Sequence, residues 1–65
     1  MTYDVAEIKI EAAHRFSEGE IKMALKNESY LDRPTLLKIC RLRDSLKIAY
    51  QTIKEINAFM NALKQ

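Results

Sequence analysis

From Pro34 to Leu63 the chain repeats hydrophobic positions at alternating spacings of three and four. Read in sevens, Ile39, Leu46, Ile53 and Met60 share one position, and Leu42, Ala49, Ile56 and Leu63 share the other. This is the seam pattern of a coiled coil, and it predicts one long helix over about residues 34–63. No glycine interrupts it, and the only proline stands at its start. A helix of about 30 residues spans about 45 Å. A seam that long needs a partner surface, supplied either by the first half of the chain or by another copy.

The first half carries a second helical pattern. Val5, Ile8, Ala12, Phe16, Met23 and Tyr30 fall on one face at about 100° per residue, with Glu11, Glu18 and Lys22 opposite. Asp4 with Glu7 forms a capping-box spacing, and Tyr3 with Ile8 a hydrophobic staple. The same grammar recurs at Ser17, Glu20, Phe16 and Ile21, which would suit a new helix start. Gly19 weakens a continuous helix by about 1 kcal/mol relative to alanine. The apolar face nevertheless keeps its phase from Val5 to Tyr30. The expectation is therefore one helix over about residues 5–29, with room for a kink at 17–19.

Between the two patterns, residues 30–34 read as a turn. Asp32 is the expected N-cap of the second helix, with Pro34 in the first turn, where its missing N–H costs nothing. A short link between helices of similar length makes them antiparallel neighbours. Such a hairpin would place Glu18 near Lys47, Glu11 near Lys54, and Glu20 within a turn of Arg43.

The second helix is apolar beyond its seam, at Leu36, Leu37, Cys40, Ile48, Tyr50 and Phe59. One neighbouring helix covers one stripe, and large exposed apolar patches mark interfaces. Two hairpins packed as a four-helix bundle would bury more of this surface. The expected fold is thus an all-α antiparallel hairpin forming a homodimer. Its expected interface is Ile39, Leu42, Leu46, Ala49, Ile53, Ile56, Met60 and Leu63, with Phe16 and Met23 from the first helix.

Length sharpens that expectation. A chain of 65 residues is one domain at most. It buries only roughly 60% of the surface its unfolded form exposes, so its core is marginal. A single cysteine rules out an intrachain disulfide, and one cysteine with one histidine offers little for a metal. Oligomerisation or very regular helix packing is the remaining source of stability. At 48% hydrophobic and 31% charged, the composition is that of a globular chain rather than a disordered one.

The charges are unevenly spread. Residues 1–32 hold four Lys/Arg against seven acids, and residues 33–65 hold seven against two. Arg33, Lys38, Arg41, Arg43 and Lys47 make a basic run opposed locally only by Asp44. Such a run could follow a phosphate backbone, or it could flank the seam and meet acids of the first helix. A helix-turn-helix reading would use Arg41 and Arg43 as base contacts, but the turn is long for that motif.

Chemistry is sparse. His14 lies on the polar side of its helix, far along the expected hairpin from Cys40, so the two do not form a nucleophile–base pair. No carboxylate pair, glycine-rich phosphate loop or metal-ligand cluster stands out, and neither an enzyme nor a cofactor is expected. The N-terminus shows no basic segment leading into an apolar run, and no apolar run reaches the roughly 20 residues needed to span a bilayer. The single cysteine suits a reducing compartment, so a cytoplasmic location without membrane contact is expected.

In length and hairpin plan the chain resembles Rop, a small plasmid-encoded RNA-binding four-helix-bundle dimer. The likeness carries no motif, so it transfers no site and assigns no family. The functional expectation is a non-enzymatic protein–protein interaction module or regulator with a protein partner. The alternative is an RNA- or DNA-binding bundle using the basic start of the second helix.

Overall fold

The computed structural model describes residues 2–64. It consists of two helices, α1 (Asp4–Lys26) and α2 (Arg33–Leu63), packed side by side as an antiparallel hairpin. The molecule is a rod of 52 × 14 × 13 Å. Its radius of gyration is 15.2 Å, against about 11 Å for a compact chain of this length.

The first helix is unbroken through Ser17 and Gly19. Ser17 does not cap a new helix; its hydroxyl donates back to the His14 carbonyl at 2.7 Å. The start of α1 also departs from the capping box. Tyr3 is the N-cap residue without a side-chain cap bond. Asp4 instead accepts from the Thr2 hydroxyl at 2.7 Å. The helix stops at Lys26, three residues before the expected end, because Asn27 turns the chain. Its side-chain oxygen accepts from the Ser29 N–H (3.1 Å) and hydroxyl (2.8 Å), and its carbonyl accepts from the Tyr30 N–H (3.0 Å). Asparagine favours this local bonding over helix continuation.

The second helix starts as its sequence dictates. Asp32 is the N-cap, its Oδ1 accepting from the Thr35 N–H at 3.0 Å, with Pro34 in the first turn. Hydrogen bonds from Thr35 hold the Asp32 carboxyl below its usual range. A lowered folded-state pKa means the cap supports the helix above the unfolded-state value. That support is lost as pH falls through the folded-state value. Asp32→Ala is therefore expected to lower the melting temperature at neutral pH, with Asp32→Asn closer to the parent. The deficit of the alanine variant should shrink as the solution is acidified through the carboxylate range. A deficit that stays constant with pH would separate the cap's effect from its charge.

The seam between the helices is only half the one the hydrophobic pattern suggests. On α2, Ile39, Leu46, Ile53 and Met60 do turn toward α1 and are partly buried. The second facing position is held by Arg43, Tyr50 and Asn57, one residue on from Leu42, Ala49 and Ile56, and by Leu36 one heptad earlier. Leu42, Ile56 and Leu63 are exposed. On α1 the facing residues are Glu7, Ile10, His14, Ser17, Ile21 and Ala24, again spaced by three and four. The more apolar face of α1 points away: Val5, Ile8, Phe16 and Met23 are all exposed.

Among the described residues the buried set is Ile21, Ala24, Ser17 and Asn57. The two polar members are satisfied. Asn57 Oδ1 accepts from the Tyr3 N–H at 2.7 Å, and its Nδ2 donates to Glu7 Oε1 at 3.0 Å. These bonds clasp the open end of the hairpin.

Candidate interaction surface

The heptad positions divide the surface of the rod into two edges. In an antiparallel pair, equivalent flanking positions of the two helices stand on the same side of the seam. Glu11 and Glu18 of α1 therefore share one edge with Lys47 and Lys54 of α2. The structure forms an open groove there of about 360 Å³, whose walls include these four residues with His14 and Tyr50. The other edge holds Ala6, Ala13 and Glu20 of α1 with Leu42, Ala49, Ile56 and Leu63 of α2. The first edge is charged over most of its length, giving way to Leu25 and Cys40 near the turn, and the second is mostly apolar.

On the charged edge the expected interhelical ion pairs do not form. The Glu11 carboxylate is engaged by Arg15 and by the Tyr50 hydroxyl, which donates to it at 3.0 Å. That bond and partial burial push the Tyr50 phenol pKa up. Lys54 lies over the Tyr50 ring, 5.0 Å from its centroid, a cation–π position. Glu18 meets His14 at 3.4 Å, and Arg43 is bound by its own neighbour Asp44 at 3.1 Å. Among the described residues every ion pair is local to one helix. The physical cause is a register shift. Because α1 ends early at Asn27, Glu11 faces Tyr50, about one turn from the level expected to bring it to Lys54.

The five cations of the basic run do not make one patch. At 100° per residue, Lys38 and Arg41 fall on the outer side of α2, while Arg33, Arg43 and Lys47 fall toward the seam and the charged edge. His14 is not on a solvated face as its polar surroundings suggest. It sits in the seam with its side chain 20% exposed. Cys40 is a half-buried free thiol, about two turns along α2 from the level of His14, roughly 10 Å by helical rise. No group of three or more metal-binding side chains converges among the described residues, and no helix is long and apolar enough to cross a membrane.

At the turn, Ala24, Glu28, Leu31, Arg33, Leu36 and Leu37 surround an open, mostly apolar hollow of about 520 Å³. Across the turn, the Glu20 carboxylate lies close enough to Tyr30 to push its phenol pKa up.

Fold and surface together define an all-α hairpin whose largest unfilled feature is its apolar exterior. Compared with known proteins, the chain matches no family model, no curated protein and no solved structure.

Two groups of residues in this picture escape a reading of hydrophobic pattern. Glu7, His14 and Ser17 on α1 and Asn57 on α2 lie in the seam although none is apolar. Their spacing of three and four carries the signal, but their side-chain chemistry hides it.

Proposed function

We propose that the chain is a small non-enzymatic protein–protein interaction module or regulator, a self-associating helical hairpin that works in the cytoplasm through its exposed helix faces. One observation carries this reading. Large apolar side chains of both helices, Val5, Ile8, Phe16 and Met23 on α1 and Leu42, Ile56 and Leu63 on α2, lie outside a hairpin whose buried apolar residues are Ile21 and Ala24 alone among those described. Exposed apolar surface on this scale favours association. A homodimer would supply the burial that one hairpin lacks, and a further protein partner could use the surface left outside it. Light scattering across micromolar concentrations should give about twice the 7.6 kDa chain mass. A chain that stays folded and monomeric throughout would overturn the self-association.

A second reading, an RNA- or DNA-binding bundle, draws on the basic start of α2. Its support is that none of Arg33, Lys38, Arg41, Arg43 and Lys47 is paired with an acid of α1. Their spread around the helix favours it less than a single stripe would. Nucleic-acid binding should appear as a mobility shift at about 50 mM salt. Replacing Lys38 and Arg41 should then weaken binding and flatten its salt dependence. The absence of any shift with tens of micromolar protein would remove this reading.

A further inference from the structure

We infer that the apolar edge of the hairpin is covered by the same edge of a second copy, with α1 of each copy lying over α2 of the other and both turns at the same end. The inference rests on the self-association proposed above and specifies its geometry. Three observations support it.

The first is area. The hairpin exposes 5314 Å², whereas a folded monomer of this mass is expected to expose about 4,300 Å². The excess, about 1,000 Å², is comparable with the roughly 800 Å² each partner buries in a stable complex. The second is shape. The α1 side of this edge is small, with Ala6 and Ala13, while the α2 side is large, with Leu42, Ile56 and Leu63. Setting α1 over α2 of the second copy places small against large, which lets the layers interdigitate. Setting α2 over α2 would crowd large against large.

The third is charge. The first helix has five acids against four bases, and the second has six bases against two acids. Stacking α2 on α2 would put like charge over like, whereas α1 on α2 joins opposite signs. A two-fold axis parallel to the helices preserves height along the rod. Each α1 residue then lies level with the α2 residues it already faces in its own hairpin. Glu20, the one carboxylate on the edge, thereby comes level with Lys38 of the second copy, which borders that edge one turn before Leu42. Lys38 is not ion-paired within the hairpin among the described residues.

Two measurements test this. Ile56→Asp, on the edge, should raise the dimer dissociation constant roughly thirtyfold or more, as loss of an interface hot spot does. Ile8→Asp, on the far side of α1, should leave it unchanged. An intact dimer with Ile56→Asp, or dissociation by Ile8→Asp alone or as well, would move the contact to another face while leaving self-association standing. The second measurement needs no disruptive change. In a Cys40→Ala background, a spin label at Ser29→Cys should give an intermolecular distance of roughly 30 Å or less, because neighbouring helix axes lie about 8–10 Å apart. A distance approaching the 52 Å length of the rod would place the turns at opposite ends and overturn the arrangement. A wild-type chain that is monomeric at every concentration would instead defeat the self-association itself, and this geometry with it.

Discussion

Truncating Ile21 to alanine is expected to bring the hairpin to the edge of unfolding. Ile21 is 8% exposed and lies in the seam toward the turn, level with Ile39 and Cys40 in the observed register. Removing a buried isoleucine side chain to its first carbon costs about 2–5 kcal/mol, from lost transfer energy and the cavity left behind. Small domains have little more than that to lose. Ile8→Ala is the control, since Ile8 is 66% exposed and should change stability by less than about 0.5 kcal/mol. Urea unfolding followed by circular dichroism measures both. If the two substitutions exchanged their effects, the outward apolar face of α1, not the inner one, would be packed on α2.

The second large effect is expected at Asn57, which is 4% exposed. Asn57→Ala removes the acceptor of the Tyr3 N–H and the donor to Glu7 together. Leaving buried polar groups without partners costs about 1–3 kcal/mol each where water does not replace the bond. Amide exchange at Tyr3 through Glu7 should accelerate, while exchange near the turn changes little. Asn57→Leu tests specificity apart from stability. It restores apolar volume, but a single buried asparagine fixes the register of paired helices. A leucine variant as stable as the parent but less uniformly protected at its open end would fit that role. Unchanged exchange at Tyr3–Glu7 in both variants would show that the clasp contributes nothing to register.

These two sites illustrate what the sequence discloses. The existence of two helices, their antiparallel pairing and the Asp32 cap are all legible, because each rests on local chemistry or on a period sustained over many residues. The Asn27 turn is less so. An asparagine side chain competing for the Ser29 N–H is one local option among several, and ending α1 there shifted every interhelical pairing by about a turn. The α1 face toward α2 is the least legible. The strongest hydrophobic stripe marks the surface that gains most from leaving water; it does not say which neighbour removes it. The contact with α2 uses Ser17 and Ala24, which are small enough to admit a neighbouring helix, and Glu7 and His14, whose polar groups find partners at the margin of the seam. The apolar edge residues Leu42, Ala49, Ile56 and Leu63 were legible as a stripe, but only three-dimensional register separates them from Ile39, Leu46, Ile53 and Met60, which turn inward.

The clasp at Asn57 has a consequence for how the chain acquires its shape. The bonds at the bend close over two or three residues: Asn27 with Ser29, and Asp32 with Thr35. The clasp joins residues 50 and 54 apart in sequence. Closing a long loop directly forfeits more chain entropy than closing it in short increments from an existing bend. The sequence of events with the lowest entropic barrier is therefore a zipper that begins at Asn27–Thr35 and runs outward, with Tyr3 and Asn57 meeting last. In reverse, the first opening of the native rod is a parting of its two free ends. Asn57 acts on that step as a latch, setting how often the terminal turns separate while the bend stays closed.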